Sequence, residues 1–230
     1  MKQPHRLNLK RRTDGKTGQV GGHRDELIVL VHGIWMQGFM MRILGQMLTR
    51  EGYRTHQVSY DFLGRSPEEN AGQLFKEITG LQAKTIHLVG HSLGGIVILH
   101  LLKRHPEVEI GKVVLLGSPV RGSSVAKRLH ANQLLRPLLG RSIERGLLGG
   151  APNFDGQRPL GVITGSGQYG ISSLLYPTGE DSDGVVTLSE TLLDNVTDRT
   201  TVPLSHSTMI FSRQCAKLVA QFLQHGRFAG

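Results

Sequence analysis

Residues 85–95 constrain the fold more than any other stretch of the sequence. A β-branched and aliphatic run, TIHLV, leads directly into GHSLGG, and an apolar run over residues 96–102 follows. The pattern G-x-S-x-G between a strand and a helix predicts a sharp turn that holds Ser92 in a strained backbone conformation. Gly90 and Gly94 remove Cβ atoms that would collide across such a turn. We therefore expect the Ser92 hydroxyl to emerge at a helix N-terminus, whose free N–H groups and dipole favour a developing negative charge.

Strand and helix patterns alternate along the rest of the chain. Besides residues 85–89, strands are predicted at 26–31, 54–60, 112–116, 160–164 and 200–204. Helices are predicted at 39–51, 67–79, from 96 to before Pro106, and at 208–224, the second opened by the capping box SPEE at 66–69. This alternation over 230 residues predicts one α/β domain with a doubly wound, mostly parallel sheet. Its site should lie at the carboxyl ends of the strands.

The net charge of +9 lies mainly in two segments. Residues 1–24 are basic, polar and rich in glycine, which predicts a flexible tail or an edge hairpin, with a polybasic arm for an anionic membrane or nucleic acid as the alternative. Residues 121–158 carry leucines among arginines and are predicted to form a short helical, cap-like insert in the domain that spans residues 25–230. Neither segment interleaves its basic residues with aromatic ones, so no nucleic-acid partner is expected.

Cysteine content and hydropathy place few further limits on the chain. The single cysteine, Cys215, excludes an internal disulfide and lies in an apolar-periodic stretch, so we expect it in the core. No window approaches ~18 uninterrupted apolar residues, and the basic N-terminus lacks an apolar segment. These observations predict a cytoplasmic protein and leave its oligomeric state open.

A serine hydroxyl is a weak nucleophile and needs a base, which in turn needs an orienting carboxylate. His206 is the predicted base, because it follows the last strand and precedes the last helix, at the sheet edge where Ser92 emerges. The acid should lie between serine and histidine in chain order. Asp183 is preferred because Asp183-Gly184 forms a turn next to an apolar pair, but Asp181 and Glu180 stay open as alternatives.

Two backbone N–H groups are expected to stabilise an oxyanion beside Ser92. One belongs to Leu93, which follows the nucleophile, and the other to Ile34 in the loop after the first central strand, with Trp35 as the second choice. His32 is predicted to hold this loop through hydrogen bonds. His91, next to Ser92, is predicted to have a structural role.

Four motifs together resemble the α/β-hydrolase superfamily, and most closely its small serine lipases and esterases, including the group related to GPI-inositol deacylases. They are VHGI at 31–34, VGHSLGG at 89–95, GSP at 117–119 and DGVV at 183–186. The resemblance runs from about residue 26 to residue 222. It implies hydrolysis of carboxylic esters of a lipid or other acyl chain through an acyl-enzyme, without a cofactor or a metal.

Several functions stay open at this point. The same residues could serve acyl transfer or thioester hydrolysis, or the chain could be a scaffold that keeps the fold without turnover. For the insert at 121–158, the leucines are expected to line an acyl pocket over Ser92 and the arginines to face outward. Outward arginines beside an apolar face would suit contact with an anionic membrane surface, and a solvated cap is the alternative.

Overall fold

The computed structural model describes residues 25–167 and 180–228, so the predicted basic tail at 1–24 lies outside the described residues. The strands are β1 (Glu26–Val31), β2 (Arg54–Val58), β3 (Thr85–His91), β4 (Ile110–Leu116), β5 (Leu160–Gly165) and β6 (Asp198–Val202). The α-helices are α1 (Arg42–Arg50), α2 (Pro67–Thr79), α3 (Leu93–Arg104), α4 (Ser124–Ala131) and α5 (Arg213–His225). These strands form one sheet in the order β2-β1-β3-β4-β5-β6, with every neighbouring pair parallel.

Helices cover both faces of the sheet. Ile28 and Leu30 of β1 belong to the apolar cluster formed with α1 and α5, whereas Val29 and Val31 belong to the cluster formed with α2 and α3. Burial on both faces accounts for the unbroken aliphatic run in the sequence of β1. The prediction of a doubly wound α/β fold is confirmed. Cys215 lies fully buried in the cluster with α1 and α5, as expected.

The predicted start of α2 is confirmed, whereas the predicted start of the last helix is not. The capping box of α2 is present: the Ser66 hydroxyl accepts from the Glu69 N–H at 3.2 Å, and the Glu69 carboxylate accepts from the Ser66 N–H at 2.7 Å. The prediction of one continuous helix over 208–224 is wrong. Ser212 is extended and its hydroxyl caps α5, which separates that helix from a short 3-10 turn at Thr208–Phe211.

The insert at 121–158 contains α4 and a 3-10 segment, Arg136–Ile143, which is interrupted at Gly140 with φ 52°. Arg141 lies 2.7 Å from Glu69 and 2.9 Å from Glu144, and Arg145 lies 3.2 Å from Glu68. The two arginines are exposed, as predicted, but they also attach the insert to the first turn of α2. No helix among residues 25–167 and 180–228 has the length and apolar character needed to span a bilayer.

Candidate active site

Ser92 lies at the turn between β3 and α3 with φ 54° and ψ −124°. A residue other than glycine in such a conformation costs about 1–3 kcal/mol, so its surroundings must hold it in place. The Ser92 N–H donates to the Leu116 carbonyl at 2.9 Å, which ties the serine to the end of the neighbouring strand β4. The sharp turn predicted from the sequence is therefore present. The hydrogen bond to β4 helps to hold it, in addition to the glycines of the turn.

The glycines of the turn are required for two different reasons. A Cβ on Gly90 would lie 2.7 Å from the backbone of Gly95, so Gly90 does relieve a collision across the turn, as expected. A Cβ on Gly94 would instead run into the Val31 carbonyl oxygen. The expectation that Gly94 relieves a collision across the turn is thus wrong: Gly94 allows α3 to approach β1, which also carries the loop expected to complete the site.

His206 follows β6, and its position is fixed by Asp183. The His206 Nδ1–H donates to Asp183 Oδ2 at 2.6 Å, and the His206 backbone N–H donates to the Asp183 carbonyl at 2.8 Å. The other carboxylate oxygen of Asp183 accepts from the N–H groups of Val185 and Val186 at 2.9 and 2.7 Å. Because an ionised carboxylate only accepts hydrogen bonds, His206 carries its proton on Nδ1 and leaves Nε2 free to accept one.

The two alternative acids have other contacts. The Glu180 carboxylate accepts from the N–H and the hydroxyl of Ser189 at 2.7 and 2.8 Å. Asp181 is exposed, and its backbone carbonyl accepts from the Leu188 N–H at 2.9 Å. Of the three carboxylates left open by the sequence, the structure brings Asp183 to His206.

His91 joins Ser92 to His206. The His91 Nε2–H donates to the His206 carbonyl at 3.0 Å, and the two ring centroids are 4.7 Å apart. Burial, and next the adjacent His206, lower the pKa of His91 to about 3, so its imidazole is neutral at physiological pH. The structural role predicted for His91 is present. Within the described part of the chain, no hydrogen bond joins the Ser92 hydroxyl to His206 itself.

The loop after β1 lies directly against Ser92. A Cβ on Gly33 would lie 2.9 Å from Ser92 Cβ, so only glycine permits this approach. His32 stacks on Tyr60 with centroids 4.2 Å apart, its Nε2 accepts from the Tyr60 N–H at 3.3 Å, and its carbonyl accepts from the Tyr60 hydroxyl at 2.7 Å. Burial lowers the pKa of His32. His32 holds the loop by hydrogen bonds, as predicted.

Both residues expected to supply an oxyanion donor are near Ser92. Leu93 is the first residue of α3, and the first N–H groups of a helix have no partner within the helix. Ile34 and Trp35 follow Gly33 and line the same pocket as Ser92. Trp35 has φ 57°, which is uncommon for a bulky residue.

A narrow apolar pocket of about 40 Å³ opens at Ser92. Three leucines of the insert line it, as predicted: Leu129, Leu139 and Leu147. Two other leucines of the insert, Leu134 and Leu138, are instead 88% and 50% exposed.

Two sets of contacts at the site were not predicted from the sequence. The Trp35 Nε1–H donates to the Leu138 carbonyl at 2.8 Å, which joins the loop after β1 to the insert. Glu190 is buried, and its carboxylate accepts from the N–H groups of Ser124 in α4 and Thr187 near Asp183. Trp35 is the single tryptophan of the sequence, which was its one available signal, and Glu190 offered none.

The parallel sheet, the strained serine at the end of β3 and the helices on both faces define the α/β-hydrolase fold. Residues 4–163 match the model of the family described as "Domain of unknown function (DUF7379)", and the chain belongs to that family. It is also 30% identical over 130 residues to the pimeloyl-[acyl-carrier protein] methyl ester esterase of Aeromonas hydrophila. That alignment covers 51% of each protein, so the chain spans about half the length of this curated relative.

Solved structures with the same fold include esterases and lipases. The mature lipase BlEst2 of Bacillus licheniformis aligns with a TM-score of 0.70 at 18% identity, over 85% of this chain and 91% of that one. The metagenomic carboxyl esterase MGS0156 aligns with a TM-score of 0.65 at 18% identity, over 93% of this chain and 81% of that one. At such low identities these likenesses show the fold alone. The resemblance to the group related to GPI-inositol deacylases stays a prediction.

Proposed function

We propose that this chain is a serine hydrolase that cleaves carboxylic esters through an acyl-enzyme. The observation that carries the proposal is the 2.6 Å hydrogen bond between His206 and Asp183. The ring of His206 lies beside the ring of His91, and the strained Ser92 directly follows His91 in the chain. Together these residues supply a nucleophile, a base with a free acceptor nitrogen, and a carboxylate that fixes the base. The esterase relative of Aeromonas hydrophila favours an ester as the bond that is cleaved.

In the first half of the proposed reaction, His206 Nε2 takes the hydroxyl proton of Ser92 while Oγ attacks the ester carbonyl carbon. The oxygen of the tetrahedral intermediate becomes negative and is stabilised by the N–H groups of Leu93 and Ile34. Collapse of the intermediate breaks the bond to the leaving oxygen, which receives the proton from His206. The alcohol departs and the acyl group stays on Ser92.

In the second half, water takes the place of the alcohol. His206 removes a proton from the water, whose oxygen attacks the acyl carbon, and the proton then returns to Ser92 Oγ as the carboxylic acid leaves. Asp183 stabilises the imidazolium in both halves without itself accepting the proton. Acyl transfer would use another alcohol in place of water, and thioester hydrolysis would replace the leaving oxygen by sulfur.

Hydrolysis of nitrophenyl esters from acetyl to palmitoyl tests the proposal. We expect turnover by the wild type and a loss on the order of 10⁶ in kcat for Ser92→Ala and for His206→Ala, because such residues act as a unit. A serine-directed phosphonate should label Ser92 alone. Full activity in Ser92→Ala would contradict the mechanism. A wild type that neither turns over any ester nor reacts with the phosphonate would favour a scaffold.

A further inference from the structure

The pocket at Ser92 is small for an ester hydrolase that acts on long acyl chains. Its volume is about 40 Å³. Pockets for drug-sized ligands are about 300–1,000 Å³. Within the described part of the chain, this pocket therefore suits a short acyl group better than a chain of eight carbons.

Leu139 is one of the residues that form the wall of this pocket. Its side chain is 1% exposed and lines the pocket, although the neighbouring Leu138 is half exposed. The backbone is held on both sides of it. The Leu138 carbonyl accepts from Trp35 Nε1–H at 2.8 Å, and the Arg141 N–H donates to the Leu63 carbonyl at 2.8 Å.

Trp35 makes this attachment from the loop after β1. The indole lines the pocket and reaches the insert from a backbone position, φ 57°, that a bulky residue seldom adopts. Gly140, which follows Leu139, packs against the backbone of Leu63 and leaves no space for a Cβ. The backbone on both sides of Leu139 is thus bound to two separate loops. This part of the pocket wall therefore has little freedom to move away from an entering acyl chain.

We propose that Leu139 restricts the substrates of this enzyme to esters of short acyl groups, about two to four carbons, and that Trp35 is the positioning residue that holds Leu139 in place. The inference rests on the proposed ester hydrolysis and adds the substrate class. Truncating Leu139 lengthens the pocket. Removing the indole N–H frees the backbone that carries Leu139 and leaves the leucine itself intact.

The test compares kcat/KM for nitrophenyl butyrate and nitrophenyl octanoate, both kept below their aggregation limits. A missing or extra methylene in an apolar pocket changes discrimination by about tenfold or more, so the wild type should prefer butyrate by at least that factor. In Leu139→Ala, the ratio of octanoate to butyrate should rise by about tenfold or more. In Trp35→Phe, which keeps an aromatic ring and loses the donor, it should rise in the same direction by a smaller factor.

Leu134→Ala is the matched control, since it makes the same truncation in the same insert at a side chain that is 88% exposed. Its ratio should equal that of the wild type. If Leu139→Ala does not fold, Leu139→Val provides a smaller truncation with an intermediate shift. The rate of Ser92 labelling by a small phosphonate checks each variant for an intact nucleophile.

Different failures have different meanings. A wild type that hydrolyses octanoate as well as butyrate, or a ratio that stays constant in both Leu139 variants and Trp35→Phe, overturns the inference and leaves ester hydrolysis standing. Absence of turnover on every ester, together with absence of phosphonate labelling, overturns the proposed function and the inference with it.

Discussion

Removing the imidazole of His91 should make the protein's stability less sensitive to acid. His91 is 2% exposed, and its pKa is lowered from 6.5 to about 3, first by burial and second by His206. Between these two values the unfolded chain binds a proton that the native state does not. The free energy of unfolding therefore rises with pH in this window, and the stability is lost as pH falls from 6.5 towards 3.

The size of this loss of stability follows from the lowered pKa of His91. Each pH unit inside the window is worth about 1.4 kcal/mol, so lowering the pH from 7 to 5 costs the wild type about 2 kcal/mol through His91 alone. In His91→Gln this contribution is absent. Burial also lowers the pKa of His32 and of His100, but both histidines are present in both proteins, and their contributions cancel in the difference.

Urea unfolding followed by circular dichroism at pH 7 and pH 5 measures the effect, with equal m-values required before the free energies are compared. The loss of stability between the two pH values should be smaller in His91→Gln by about 2 kcal/mol. His225→Gln, which removes an exposed histidine at the end of α5, should lose as much as the wild type. An equal loss in His91→Gln and wild type would refute the assignment of a neutral, buried His91.

Three further predictions address the acid, the turn and the insert. Asp183→Asn should lower kcat on nitrophenyl butyrate by on the order of 10⁴, since the amide favours the wrong imidazole tautomer, and Asp181→Asn should change it little. Gly94→Ala should lower the unfolding free energy by about 3 kcal/mol, because its Cβ meets backbone atoms of β1 that cannot move aside. The same change at Gly72 of α2, where a Cβ meets nothing within 4 Å, should raise the unfolding free energy by about 0.5–1 kcal/mol. Thermal melts of the two variants and the wild type measure both effects. If the insert docks on anionic vesicles, Arg136→Gln should weaken low-salt co-sedimentation by about 1 kcal/mol, roughly fivefold, whereas equal binding to neutral vesicles would leave the insert as a substrate cap only.

The parts of the site that the sequence predicts are those with local causes. The turn at Ser92 needs glycines at fixed spacings, and the start of α2 needs a hydroxyl and a carboxylate three residues apart. Both requirements can be recognised within a few residues. The position of His206 was predictable for another reason: all parallel strands end at one edge of the sheet, so a residue that directly follows a strand lies there. For the acid, the order of the residues in the chain placed it between Ser92 and His206.

The parts that could not be predicted depend on contacts between distant segments. Nothing in the sequence shows that Trp35 reaches a carbonyl 103 residues further on, or that Arg141 and Arg145 pair with the acidic first turn of α2. The sequence alone also could not decide between Asp183 and Glu180 as the acid, because both are carboxylates in one short stretch. Only the folded loop turns one towards His206 and the other towards Ser189.

The burial of His91, which lowers the stability of the protein in acid, also keeps its imidazole neutral beside His206 in the proposed mechanism. His206 must become an imidazolium in each half of the reaction, and its ring lies 4.7 Å from that of His91. A second cation at that distance would oppose the charge on His206 and lower its basicity. A neutral His91 can instead donate its Nε2–H to the His206 carbonyl at 3.0 Å and help to hold the base without competing for the proton. A glutamine at this position keeps a donor and stays neutral, so His91→Gln should retain most of the activity. A lysine, which would bring a charge into the same buried space, should lose both activity and stability.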